Sequence, residues 1–266
     1  MRKLEVELRQ NLLHRDGRGA TPTEAGKRLL AHGHGLLMQM QRATEDMAEV
    51  RGAPVGHVVV GLPHSLGRIL TVPFVLEFRR EFPRATLSIT EGLTSHLHEW
   101  LITGRLDLAL LHDPAPSSTL DTTPLQRDEL FLLSPAVPRR RRKPVSLEEL
   151  AEHPLILPRP PHPLRAMVET RLANIGRRPR VILEIDAVPA IADLVAEGLG
   201  YAVVTMNATR VTGGAERFNF QRIVAPDLAS TLVLARPADR PATTLARRVH
   251  ELLRGFVPRH LHRANP

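Results

Sequence analysis

HVVVGLPHSLGRILTVPFVLEFRREFPRATLSITEG, residues 57–92, is the stretch whose reading decides the fold. An apolar run, HVVVGL (57–62), leads into a helical periodicity from about Leu70 to Glu81. TLSITEG (86–92) follows, with the β-branched residues of a second strand. A helix from Ser95 to Thr103 and a third strand, LDLALLH (106–112), continue the alternation. Strand, helix, strand, helix, strand is the sign of a parallel sheet with right-handed crossovers, so the chain is an α/β protein.

Toward the C-terminus the alternation resumes. Strands are expected at Glu129–Ser134, Pro154–Leu157, Val181–Ile185 and Tyr201–Thr205, with helices at Ser146–Glu152, Leu164–Ile175 and Val188–Glu197 between them. That is a second α/β lobe. TLVLA (231–235) reads as a late strand, and a helix from Thr243 to Phe256 closes the pattern.

Toward the N-terminus, Arg51-Gly52-Ala53-Pro54 breaks a long preceding helix. Thr23 followed by Glu24 caps that helix, which runs to about Val50 with Leu29, Leu30, Leu36, Leu37, Met40 and Met47 in an apolar stripe. At ~1.5 Å per residue it spans about 40 Å, too long for a small core to cover. The stripe is therefore expected to pair with a second copy, giving a dimer or a tetramer. Before it, HRDGRGATPT (14–23) reads as a wing-like hairpin turned by Asp16-Gly17 and Gly19. Leu4, Leu8 and Leu12 mark a helix over Lys3–Leu13 that has no N-cap and reads as the tail of a longer helix.

Composition narrows the function. The 266 residues are 42% hydrophobic and 24% charged, ordinary usage for a folded protein. The net charge of +8 would favour a polyanion if it clustered, but the arginines are spread along the chain. With no cysteine, disulfides, thiolate metal sites and cysteine nucleophiles are excluded. MRKLEVELRQ has no apolar stretch behind it and no run approaches ~18 apolar residues, so the expected location is the cytoplasm, with no membrane partner. No G-x-S-x-G elbow, P-loop or strand-linked G-x-G-x-x-G is present, so the chain is read as no enzyme, without a cofactor.

Ligands of open α/β sheets bind where strands end at their carboxyl side. That rule nominates Pro63, His64 and Ser65 after the first strand, and Leu93, Thr94 and Ser95 after the second. Across a hinge it adds Arg159, Pro160, Pro161 and His162, then Gly200, Tyr201, Val203 and Thr205. For Ser65 and Thr94 the competing reading is helix capping. His64, His96 and His112 fall at successive strand ends, with His162 opposite, which suggests a pH-sensitive anion site in which His64 and His162 tune affinity by protonation. A metal is disfavoured, because no HxxxH or carboxylate cluster accompanies the histidines. His96 and His98 are two apart and point to different helix faces, and His32 and His34 read as surface. RRRRK (139–143) reads as a solvated loop, Trp100 as packing beside Leu97 and Leu101, and Asp107 as a turn residue.

Five segments in order resemble LysR-type transcriptional regulators. They are RKLEVELRQNLLHRDGRGATPTEAG (2–26), residues 57–92 quoted above, LHEWLITGRLDLALLHDP (97–114), PVSLEELAEHPLILPRPPHPLR (144–165) and ADLVAEGLGYAVV (192–204). Within the family, GLPHSLGRIL (61–70) and EGLTSHLHEWLITGRLDLALLHD (91–113) are most similar to nitrogen-assimilation-type members. The resemblance implies a winged helix-turn-helix, a linker helix pairing subunits and a two-lobed effector domain like the type 2 periplasmic binding proteins. It divides the chain into a helix-turn-helix remnant (1–22), a dimerisation helix (23–53), lobe I (54–134), lobe II (135–229), a return to lobe I (230–257) and a tail (258–266). It also implies a small anionic effector, of carboxylate type, held by hydroxyls such as Ser65 and Thr94.

Family members carry roughly fifty residues before the RKLE segment, and those hold the base-reading helix. Duplex DNA is thus the expected partner, with binding impaired in the chain as given. Arg2, Lys3, Arg15 and Arg18 are left as candidate phosphate contacts, against the reading that they are solvated surface charges. The alternatives are an effector-binding dimerisation protein without DNA activity and a cytoplasmic solute-binding protein.

Overall fold

The computed structural model describes residues 1–16, 19–48, 55–136, 143–206, 217–224 and 228–262. Helix α1 (Arg2–Leu8) is shorter than the periodicity suggests, because Arg9 turns left-handed at φ 51° and ends it. The chain is then pinned back on the helix: the Leu12 and Leu13 amides donate to Glu5 Oε1 at 3.0 and 3.2 Å. Strands β1 (Leu13–Asp16) and β2 (Gly19–Pro22) form the expected antiparallel hairpin, Leu13 opposite Pro22. Thr23 caps α2 (Glu24–Ala48) as its side chain accepts from the Gly26 amide at 3.0 Å. On α2, Leu30, Leu36, Leu37 and Met40 are 54, 66, 67 and 72% exposed, and Leu29 is half-buried. Arg18, Val50 and the Met47 side chain lie outside the described set.

The first lobe follows. Its first elements are β3 (Gly56–Pro63), α3 (His64–Glu81), β4 (Ala85–Gly92), α4 (Thr94–Ile102) and β5 (Leu108–His112). Strand β3 is parallel to β4 and β5, as the alternation requires. Helix α3 starts six residues earlier than its periodicity shows, directly at the end of β3. Asp107 clamps the start of β5, accepting from the Val59 amide at 2.7 Å. Trp100 packs partly buried against the core beside Leu97 and Leu101.

Strand β6 (Leu120–Pro135) belongs to both lobes, and the sequence reading saw only its second half. Pro124 hides the first half, since proline is excluded from regular strand interiors. A bulge accommodates it: Gln126 faces Leu232 and Pro124 faces Val233, so Leu125 is left over. The later elements are β7 (Val145–Ser146), α5 (Leu147–Glu152), β8 (Pro154–Leu157), α6 (Pro163–Ala173), β9 (Arg180–Glu184), α7 (Val188–Ala196) and β10 (Ala202–Thr205). The chain ends with β11 (Phe218–Val224), β12 (Ala229–Pro237) and α8 (Thr244–His262). No local pattern marks β11 as a strand.

The larger sheet runs β4-β3-β5-β12-β6-β11-β7, with β10 also on β6, and β8 pairs β9. Early β6 pairs β12 in lobe I, and late β6 pairs β10 and β11 in lobe II. Leu130 and Leu132 already belong to the lobe II core, so the boundary falls before 134. Pro258 sits inside α8, which is why the helix seemed to stop there; Leu261 is 1% exposed in the lobe I core, so residues 258–262 are no tail. Phe74, Phe78 and Phe256 centre that core, with ring centroids 5.5–6.3 Å apart.

Candidate functional site

A cavity of about 100 Å³ lies between the lobes. Lobe I supplies the strand ends and helix starts Pro63-His64-Ser65 and Gly92-Leu93-Thr94, with His112, Asp113 and Ser230. Lobe II supplies Leu130, Ile156, Pro158, His162-Pro163-Leu164, Asp186, Ile191 and Val203-Val204-Thr205. These are the carboxyl ends of β3, β4, β5, β8, β9 and β10, where orphan amides of the following helices face a crevice.

Of the residues nominated from sequence, Pro63, His64, Ser65, Thr94, His162, Val203 and Thr205 line the cavity, while Ser95, Arg159, Pro161, Gly200 and Tyr201 do not. Ser95 is one step round α4 and exposed. The Arg159 side chain is 67% exposed and turned onto Asp186, at 2.8 Å from Nη2 to Oδ2. Pro161 is exposed in a turn closed by the His162 amide on the Arg159 carbonyl. Gly200 and Tyr201 precede β10 and so sit at its amino end: a Cβ on Gly200 would meet the Pro154 carbonyl at 2.9 Å, and Tyr201 packs on His153. His96 is exposed and stacks on Trp100.

Neither hydroxyl caps its helix. The N-cap positions are Pro63 for α3 and Leu93 for α4, without side-chain hydrogen bonds there. Ser65 is half-buried at the cavity wall, and Thr94 Oγ1 accepts from the His112 amide at 3.4 Å.

Beneath Thr94 lies a polar chain. Asp113, left-handed at φ 44°, accepts the Thr231 amide at 2.7 Å through Oδ1 and the Ser230 hydroxyl at 2.5 Å through Oδ2. Ser230 Oγ is in turn 3.2 Å from His112 Nδ1. His112 is crowded by protein except where it faces the cavity, and this desolvation pushes its pKa down to about 4, with His162 adding to the fall against Asp113. His162 caps α6, its Nδ1 accepting from the Leu164 amide at 3.2 Å, and burial also lowers its pKa. That arrangement leaves His162 poorly suited to the protonation switch suggested by its sequence position. His64 pairs with Glu91 at the rim, 3.3 Å apart. Asp186 is held below the usual carboxylate range by the backbone and side chain of Arg159.

Asp113, Asp186 and Ser230 were missed because local pattern does not place them. Asp113 follows an apolar strand as any turn residue does, and Ser230 reaches the site only because β12 returns antiparallel to β5, Leu232 opposite His112. Among the described residues no group of three or more His, Asp or Glu is placed to hold a metal ion, and no helix is long and apolar enough to cross a membrane.

Comparison with known proteins agrees with this architecture. Residues 51–257 match the family model of the LysR substrate binding domain. The nitrogen assimilation regulatory protein nac of Escherichia coli is 31% identical over 255 residues, covering 96% of this chain and 83% of that protein. A full-length OxyR variant from Pseudomonas aeruginosa superimposes with a TM-score of 0.70 at 24% identity, over 97% of this chain and 83% of that one. The regulatory domain of Synechocystis CcmR, solved in complex with 2-PG, does so with a TM-score of 0.68 at 15% identity, over 75% and 96%. These relatives are regulators and not enzymes, and the chain with its two-lobed effector domain belongs to the LysR family of transcription regulators.

Proposed function

We propose that the interlobe cavity binds a small anionic effector, a carboxylate, and that its occupancy is relayed through α4 to the dimerisation helix and on to DNA. The observation that carries this reading is the cavity itself, with Ser65 and Thr94 on its wall free of capping duty at the starts of α3 and α4. Helix starts favour negative charge by ~0.3–1 kcal/mol each when exposed and more when partly buried. A hydroxyl beside such amides suits a carboxylate oxygen. The fold neighbour from Synechocystis, solved with 2-PG, supports a small-molecule site in this architecture.

The relay is geometric. Helix α4 begins at the cavity with Thr94, and the chain just past its end, at Thr103, meets α2 at Gly35. Helix α2 carries the exposed apolar stripe through which two copies associate. Arg2 and Lys3 on α1 and Arg15 on β1 are exposed and suited to phosphate contacts.

Calorimetry with small carboxylates tests the site. Ser65→Ala and Thr94→Ala should each weaken a true effector about ten- to a hundred-fold, the effect of losing a charged hydrogen bond worth ~1.5–3 kcal/mol, with the melting temperature nearly unchanged in Ser65→Ala and lowered in Thr94→Ala, whose hydroxyl also accepts the His112 amide. Unchanged affinity in both variants, or no binding by any carboxylate, would sink the reading.

A further inference from the structure

Two cavity histidines are locked in opposite tautomers by their protein partners. The Ser230 hydroxyl spends its only proton on Asp113 Oδ2, so at 3.2 Å it must receive one from His112 Nδ1. The free Nε2 of His112 is then a bare lone pair. In His162 the order reverses: Nδ1 accepts the Leu164 amide, so the proton sits on Nε2. Among the described residues neither Nε2 has a protein partner, and both rings line the cavity, one from each lobe.

We propose that this pair reads a hydroxyl group: the effector's O–H donates to His112 Nε2 while its oxygen accepts from His162 Nε2–H, so the acid held here is a hydroxy acid. The proposal rests on the carboxylate reading above and names the substituent that the acid must carry. Position supports it, since the His112 amide itself bonds Thr94 Oγ1 at 3.4 Å, so the residue that supplies the acceptor packs against the proposed carboxylate anchor. The hydroxyl thus lies on a carbon close to the carboxylate. One group satisfying a histidine from each lobe would also hold the cleft shut.

The alternatives fit less well. A protonated amine has no lone pair for the His162 proton, and the two carboxylates that would welcome it are engaged. Asp113 is taken by Ser230 and Thr231, and Asp186 by the backbone and guanidinium of Arg159. A plain acid has no proton to give His112 Nε2, and an unmatched polar group in a closed site discriminates strongly. Both rings remain neutral at pH 7: burial lowers each, opposed by Asp113 at His112 and by Asp186 at His162.

The test has two arms on the full chain. Long-range proton–nitrogen NMR of histidine-labelled protein at pH 7 should show His112 protonated at Nδ1 and His162 at Nε2; the same tautomer in both, or a doubly protonated ring, overturns the proposal. Calorimetry then compares propanoate, lactate and alanine, and succinate, malate and aspartate. The hydroxy acid of a set should bind at least tenfold tighter than its two analogues. His112→Asn keeps a donor toward Ser230, and His162→Asn keeps an acceptor for the Leu164 amide, so each preserves the protein contact and removes the ring edge that carries Nε2. Each should erase the hydroxy acid's advantage over the plain acid of its set. Acids that bind without a hydroxyl preference overturn this inference alone, whereas no binding by any acid overturns the carboxylate reading with it.

Discussion

Gly35 presents bare backbone to the carbonyl of Thr103: a methyl group on Gly35 would stand 1.9 Å from that oxygen. Helix α2 is thereby seated on the effector lobe at the end of the helix whose start lines the cavity. Only glycine permits the approach, and the opposing atom is backbone, so neither side can swing away. Gly35→Ala should lower stability by about 1–3 kcal/mol, the usual cost of overpacking. Gly255→Ala in α8, where a Cβ meets nothing within 4 Å, should raise stability by up to about 1 kcal/mol. Thermal melts of the two variants are therefore expected to move in opposite directions, and a Gly35→Ala melt matching wild type would mean that α2 does not rest on Thr103.

The apolar stripe on α2 gives a second expectation. Leu30, Leu37 and Met40 fall at seven- and three-residue spacings and are each more than half exposed in the single chain. Burial of such side chains stabilises by ~1.5–3 kcal/mol apiece, so the pairing energy is concentrated in a few positions. Leu37→Glu with Met40→Glu should convert a dimer or tetramer into smaller species by sedimentation equilibrium. An unchanged mass would place the interface elsewhere.

Asp186 decides the charge of the lobe II wall. Its carboxylate lines the cavity and is kept ionised by Arg159, so it opposes an anionic ligand although Arg159 offsets part of the effect. Asp186→Asn removes the like charge and leaves the guanidinium uncompensated. Affinity for a carboxylate effector should rise several-fold, on the order of 1 kcal/mol, the interaction of two charges ~4 Å apart when screened as in bulk water. A fall in affinity would instead assign Asp186 a direct contact with a donor on the ligand.

How much of this could be read from sequence follows from the range of the signals. The β3-α3-β4-α4-β5 alternation is local, and apart from the start of α3, six residues early, each element lies within two residues of its expected place. Ser65, Thr94, His162 and Thr205 line the cavity as the strand-end rule expects, because a strand's carboxyl end is visible in the chain itself. The errors lie where long-range pairing decides. Pro124 disguised a strand that a bulge rescues, β11 had no local signature, and Ser230 joins the site only through the register of a returning strand. Gly200 and Tyr201 were placed at the wrong end of β10, an error of polarity rather than of element. Arg159 was expected to face the ligand, but a cation beside the carboxylate of Asp186 pairs with it instead.

The last expectation concerns acid. His112 has a folded pKa of about 4 against an ordinary 6.5, so the folded state resists a proton that the unfolded chain accepts. As the pH falls from about 6.5 toward 4, the unfolded chain binds this proton and the folded one does not, so stability falls over that window. The depression corresponds to about 3 kcal/mol when fully expressed, at ~1.4 kcal/mol per unit. His162 acts in the same direction, since burial lowers it too. Asp186, whose pKa is lowered, loses its own contribution only below the ordinary carboxylate range, so the two effects separate along the pH axis. Replacing His112 with Asn removes the titrating group while keeping a donor toward Ser230. Urea melts at pH 7.5 and 4.5 should therefore show a smaller loss in His112→Asn than in wild type, by up to about 2–3 kcal/mol. Equal losses in the two proteins would mean that the ring is hydrated through the cavity, and that burial does not hold it neutral against Asp113.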